Sequence, residues 1–207
     1  MNFSQHNEQQ VILDYFKNQK PEDLFFLDCG ANDGKTFSNT HALALAGWFG
    51  ICIEPGRMAF DKLSALYANT SHVTCFNIAI TRVNGPVVLH ESGSIDSEDI
   101  GLLSSCHYAE TLKWIHDVKF TDLVVQGVSW ASFCETYIDS TYDFINIDAE
   151  GMDLEILFQM DLTELQCKLL CIEWGQDEAK KNSIHHYASK FGMKLIYSNE
   201  TNLIYGM

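Results

Sequence analysis

The chain has 207 residues, a formal net charge of −15 and an ordinary globular composition, 46% apolar and 20% charged. An acidic surface of that kind repels phosphate backbones and anionic lipid, so nucleic acid and membrane surfaces are excluded as expected partners. No apolar run reaches the ~18–20 residues that span a bilayer, and MNFSQHNEQQ lacks the basic start and apolar stretch of a secretory signal.

In chain order, VILDYF carries apolar residues at helical spacing and predicts a helix over 5–18, within an N-terminal segment 1–20. LFFLDCG (24–30) reads as a buried strand. TFSNTHALALAG (36–47) reads as a helix stopped by Gly47. GICIEP (50–55) is a second strand, MAFDKLSALYAN (58–69) a helix and VTCFNIAI (73–80) a third strand. NGPVVLHES (84–92) is a fourth extended piece after a turn. SGSIDSEDIGLLSS (92–105) reads as a loop, YAETLKWIHD (108–117) as a short helix or irregular chain, and TDLVVQGV (121–128) as strand. SWASFCETY (129–137) is a short helix, YDFINIDAEG (142–151) holds a strand and MDLEILFQM (152–160) is a helix. CKLLCIEWG (167–175) is a strand, EAKKNSIHHYASKFG (178–192) a helix, and MKLIYSN and NLIYGM form a closing hairpin.

Strands alternating with helices predict an α/β fold, a mostly parallel sheet with helices on both faces, in one domain over 1–207. The seven cysteines form no C-x-x-C, and Cys29, Cys52, Cys75 and Cys171 lie in apolar runs. They read as reduced core thiols, which places the chain in a reducing, cytoplasmic compartment.

FFLDCGANDGKT (25–36) decides the chemistry. A P-loop has four residues between its first glycine and Gly-Lys-Ser/Thr, whereas Gly30 and Gly34 enclose three, and Asp33 would set a carboxylate beside the phosphate. A dinucleotide fingerprint needs glycine where Asn32 and Lys35 stand. What remains is a strand ending in Asp28, a turn through Gly30, Asn32 and Gly34, and an acid, Glu54, at the end of the next strand. In a doubly wound sheet that acid meets the ribose hydroxyls of an adenosine. Asp28 suits a cationic amino group rather than a phosphate. S-adenosylmethionine (SAM) carries adenosine, a sulfonium and an amino-acid tail with no phosphate.

Further along the chain, SQHNEQ (4–9), FFLDCGANDGKTFSNT (25–40), GWFGICIEPG (47–56), NIAI (77–80), FINIDAEGMDLEIL (144–157) and LLCIEWG (169–175) together resemble the FkbM-type SAM-dependent methyltransferases. Asn7 and Gln9 stand where the entry motif of that family has Gly and Asp. The resemblance implies a Rossmann-like class I methyltransferase fold with seven strands, the last antiparallel. It also implies methyl transfer to a hydroxyl of a sugar, glycan or small natural product. Residues 93–127 match nothing in the family and are the expected substrate segment.

The expected cofactor residues are Asp28, Gly30, Asn32 and Gly34 in the loop and Glu54 on the ribose. Asn77 or Ala79 is expected at the adenine, and Ser38, Asn39 and Thr40 near the methionine carboxylate. Asp148 and Glu150 end the fourth strand and Glu173 the fifth, where open α/β sheets bind ligands. Such acids need a cation or a shared proton. The sulfonium is one cation, and Mg²⁺ held by Asp148 and Glu173 is another. Asp148 also counts among the cofactor residues. Asp148 or Glu150 is the expected base, with His107 as an alternative beside Ser104 and Ser105; His41, His185 and His186 are the other candidates. Trp48, Trp130 and Trp174 read as packing residues. Three other readings stay open: a non-catalytic SAM-binding module, an NAD-dependent sugar enzyme, and a protein methyltransferase. The short chain leaves the acceptor side open or completed by a second subunit in a homodimer.

Overall fold

A computed structural model of the protein describes residues 1–93, 101–136 and 141–207. Its main sheet contains β1 (Phe25–Cys29), β2 (Phe49–Ile53), β3 (Val73–Phe76), β7 (Phe144–Ile147), β8 (Leu169–Glu173), β9 (Lys194–Ser198) and β10 (Asn202–Gly206). Their order is β3-β2-β1-β7-β8-β10-β9. Strand β1 runs parallel to β2 and β7, and β7 parallel to β8. The closing strand β10 is antiparallel to both its neighbours, β8 and β9.

The near-continuous apolar runs FFLDC, FGICI, FINI and LLCIE are what a parallel sheet covered on both faces requires. Alternate residues supply the two faces. Leu27, Ile51, Ile145 and Leu170 meet α5 (Trp130–Thr136), α6 (Asp153–Leu157) and α7 (Glu178–Lys190) through Phe133, Ile156 and Ile184. Phe26, Cys52, Phe144 and Cys171 meet α1 (Glu8–Phe16), α2 (His41–Ala46) and α3 (Arg57–Tyr67) through Ile12, Leu43 and Leu63.

The segment 73–80 is not one strand. It leaves the main sheet after β3, and β4 (Ala79–Ile80) pairs with β6 (Phe120–Val128). Strand β6 pairs antiparallel with β5 (Gly85–Ser92), giving a second sheet ordered β4-β6-β5. Asn77 makes the corner: its Nδ2 donates to the carbonyls of Glu54 and Pro55 at 2.9 and 3.0 Å. One exposed and one covered face explain the polar alternation along β5 and β6.

Several helices are shorter than their apolar spacing predicts. Helix α1 begins only at Glu8, because Ser4 Oγ accepts the N–H of Gln9 and ties the preceding turn. The helix expected over 36–47 shrinks to α2. Asp33 Oδ1 accepts the N–H groups of Lys35 and Thr36, Phe37 is left-handed at φ 54°, and Ser38 Oγ accepts the N–H of His41. These bonds hold 33–40 as turns. Helix α4 (Tyr108–Thr111) is one turn, continued irregularly to Val118. Residues 94–100 of the expected loop, and Tyr137 at the end of the expected helix 129–137, lie outside the described residues. All seven cysteines are free thiols, and no helix among the described residues is long and apolar enough to cross a membrane.

Candidate active site

The carboxyl ends of β1, β2, β7 and β8 open into one cavity of about 610 Å³. Loop 29–32 forms its base. Gly30 and Ala31 both donate to the Ile53 carbonyl at 3.0 Å, and Asp148 N donates to the Cys29 carbonyl at 2.9 Å. Gly30 sits at φ +90°, and a Cβ there would lie 1.7 Å from the Asp148 carbonyl oxygen. Glycine is therefore required by the approach of two strand ends, and the turn brings Asp148 to the loop.

Glu54 is buried and grips this loop. Its Oε2 accepts the N–H of Asn32 at 2.9 Å, and Oε1 accepts that of Gly56 at 2.7 Å. Burial lifts its carboxyl to about 7, against the pull of those two N–H groups. Asp28 is buried deeper. Thr40 Oγ1 donates to it at 2.5 Å and Asn146 Nδ2 at 2.8 Å. Burial raises its carboxyl, and these two bonds draw it back. Asn39 Nδ2 donates to Asn146 Oδ1 at 3.0 Å, while Asn39 Oδ1 is buried with no donor.

Asp148, Glu150 and Glu173 meet at the opposite edge, each offering an oxygen within 4.8 Å of the others. Glu150 is left-handed at φ 43° and Gly151 follows at φ 92°. Asp153 fixes this turn by accepting the N–H groups of Ala149 and Gly151 at 2.8 and 3.2 Å. Lys180 Nζ lies 2.8 Å from both Asp153 Oδ2 and Glu173 Oε2. Burial works against the ammonium charge, but the two carboxylates raise its pKa. Burial raises the carboxyls of Asp148, Glu150 and Glu173. Glu173 repels Asp148 and Glu150 further, and Glu150 stands at about 8.

Asp28, Gly30, Asn32, Asn39, Glu54, Ala79, Asp148, Glu150 and Glu173 thus share one cavity. Seven other expected residues do not line it: His185 and His186 are exposed on α7, His41 is buried against Tyr67 Oη, and four more lie elsewhere. Thr40 stands behind Asp28. Gly34 lies under α3, where a Cβ would come within 2.6 Å of Leu63 Cδ1. Asn77 shapes the corner after β2. His107 is exposed, and only its backbone N–H turns inward, to Ser105 Oγ at 2.9 Å. The sequence reading missed Asn146 and Lys180, and it expected segment 93–127 at the substrate without naming the residues of the wall, Leu102, Leu103, Cys106, Trp114 and Val118. Asn146 had a signal, a polar residue inside the apolar run FINI. The wall had none, because 101–118 follows no helical or strand period.

The parallel run β3-β2-β1-β7-β8, closed by antiparallel β10 inserted beside the edge strand β9, with an acidic cavity at the carboxyl ends, defines a class I methyltransferase fold. The family model described as "Methyltransferase FkbM domain" matches residues 28–193, and the chain belongs to that family. Solved structures share the fold. A methyltransferase FkbM from Methylobacillus flagellatus KT has a TM-score of 0.56 at 16% identity, covering 89% of this chain and 43% of its own. The N-terminal domain of human METTL16 in complex with SAH has a TM-score of 0.52 at 13% identity, covering 97% and 68%. The magnesium protoporphyrin IX methyltransferase of Synechocystis PCC 6803 with bound SAM has a TM-score of 0.50 at 10% identity, covering 96% and 76%. The chain thus spans less than half the length of the Methylobacillus protein. No curated protein matches its sequence significantly.

Proposed function

We propose that the protein binds SAM in this cavity and methylates a hydroxyl of a small molecule or glycan. The observation that carries the reading is the charge of the cavity. Asp28, Glu54, Asp148, Glu150, Glu173 and Glu200 line it, with no Lys, Arg or His among the described residues. Such a set fits a ligand bearing a sulfonium and an ammonium group, and the orphaned Asn39 Oδ1 lacks only a donor. Ile78, Ala79 and Ile80 give an apolar wall suited to an adenine ring. Glu54 keeps lone pairs for ribose hydroxyls while holding Asn32 and Gly56.

Bound SAM supplies a methyl group on a sulfonium sulfur; transfer forms the C–O bond, breaks the S–C bond with its electron pair left on sulfur, and releases the hydroxyl proton. Asp148 and Glu150 stand where that proton can be received. Burial and repulsion from Glu173 raise both carboxyls, and a bound cation favours their ionised, proton-accepting form. The oxygens of Asp148, Glu150 and Glu173 suit Mg²⁺ in kind. Lys180 already brings a positive charge to Glu173, so the reading assigns no step to a metal. Activity unchanged by a chelator is the expected result. The free thiols fit a cytoplasmic setting.

Calorimetric titration with S-adenosylhomocysteine (SAH), ATP and NAD on wild type and Glu54→Ala tests the cofactor. Binding of SAH alone, lost in the variant, is expected. A preference for ATP or NAD would refute the reading.

A further inference from the structure

The charge of the cavity also bears on the acceptor, an argument that rests on the methyltransferase reading. Four of the six carboxylates are engaged or peripheral. Asp28 accepts from Thr40 and Asn146, Glu54 from two backbone amides, Glu173 pairs with Lys180, and Glu200 is exposed. The carboxylates of Asp148 and Glu150 have no hydrogen-bond partner among the described residues. SAM carries a sulfonium, an ammonium and a carboxylate, one net positive charge, so a second cation beside Glu150 favours the ionised form of its carboxyl.

Trp114 stands on the same cavity. It is 42% exposed, whereas Trp48, Trp130 and Trp174 are at most 9% exposed. The chain around it is tied directly to Glu150. Ser105 Oγ donates to the Glu150 carbonyl at 2.5 Å, and the Glu110 stem packs on Gly151, where a Cβ would meet Glu110 Cγ at 2.4 Å. Trp114 follows Glu110 by one helical turn, and its carbonyl accepts the N–H of Val118 at 2.9 Å. An open indole face and an unpaired carboxylate on one wall are the chemistry that recognises an ammonium group.

We propose that the acceptor is a hydroxylated amine, an amino sugar or amino alcohol. Its ammonium group is recognised by Glu150 and Trp114, and its neighbouring hydroxyl takes the methyl group. Phosphorylated and carboxylated acceptors are rejected, because no basic side chain lines the cavity to receive them.

The test uses pairs in which an ammonium is replaced by a neutral amide: glucosamine with N-acetylglucosamine, and ethanolamine with N-acetylethanolamine. Glucose 6-phosphate serves as the anionic probe. Each is titrated calorimetrically into SAH-saturated protein and offered with methyl-labelled SAM. We expect at least one amine to bind and to be methylated about tenfold or more better than its acetylated partner, with the preference weakening as salt is raised. Trp114→Ala and Glu150→Gln should each erase most of that preference while SAH still binds, and Trp114→Phe should keep it. SAH binding with no amine preferred, or with the acetylated or phosphorylated probe bound as well, overturns this inference alone. Failure of wild type to bind SAH overturns the methyltransferase reading and this inference together. Trp114→Ala carries the result if Glu150→Gln does not fold.

Discussion

Glu54 accepts the backbone N–H of Asn32 at 2.9 Å, so the residue assigned to the ribose also holds the loop beside it. On the proposed reading, cofactor binding and loop order would be joined in one side chain.

Glu54→Gln keeps the shape but replaces one acceptor oxygen with a donor, leaving a backbone N–H of Asn32 or Gly56 facing an amide NH₂. Hydrogen bonds to a charged group contribute about 1.5–3 kcal/mol each. The variant should lose roughly tenfold or more in SAH affinity, read by calorimetry, and should melt earlier even without ligand. A variant that lost affinity with an unchanged melting point would separate the two roles.

The raised carboxyls set a pH dependence. Glu54 titrates at about 7 and Glu150 at about 8, against an ordinary value of 4.5. The folded chain therefore holds protons that the unfolded chain has released. The stability they contribute is present below about pH 4.5 and is lost as pH rises through 7 and 8. The ligand-free melting temperature should fall between about pH 5 and pH 9, and less steeply in Glu150→Gln. SAM should bind with proton release near pH 7, measurable as a binding heat that changes with the ionisation heat of the buffer. Proton uptake on binding would contradict the account.

Lys180 pairs with both Asp153 and Glu173, whose side chains are 0% and 15% exposed. Lys180→Met leaves two buried negative charges without their partner and should cost about 3 kcal/mol or more in urea unfolding. Lys180→Arg should recover much of this loss. Equal stability of Lys180→Met and wild type would show that the two acids take up protons instead.

Gly30→Ala should fail where Gly47→Ala is tolerated. Both glycines have positive φ, at +90° and +100°. A Cβ at Gly30 would strike the Asp148 carbonyl, whereas one at Gly47 meets nothing within 4 Å. Strain alone amounts to about 1–2 kcal/mol. Gly30→Ala should exceed it by at least ~2 kcal/mol or yield insoluble protein, because Cys29 and Asp148 would have to part. Comparable melting points for the two variants would contradict the close approach.

The sheet was legible because its strands are continuous apolar runs ending in acids. FFLDC, FGICI, FINI and LLCIE report burial on both faces without knowledge of their neighbours. The cofactor edge was legible for the same reason, since Asp28, Glu54, Asp148 and Glu173 each end or follow a strand. The break at Asn77 was not, because VTCFNIAI has the pattern of one strand and the bonds to Glu54 and Pro55 are long-range. Gly34 resembled a ligand-binding glycine but answers to Leu63, Leu66 and Tyr67. Lys180 in EAKK reads as a surface charge until α6 and β8 bring Asp153 and Glu173 to it. Trp114 carried no local signal, and long-range ties, Ser105 to Glu150 and Glu110 to Gly151, set its segment on the cavity.

Strand β10 lies between β8 and β9 although it is the last of the three in sequence, and all five of its residues are buried. During synthesis β8 and β9 therefore emerge with an empty lane between them. The edge bearing Glu173 has no lasting partner until residue 206 clears the ribosome. The strand that closes this side of the sheet is thus the last of the three to be made, and until then β8 keeps an open apolar edge.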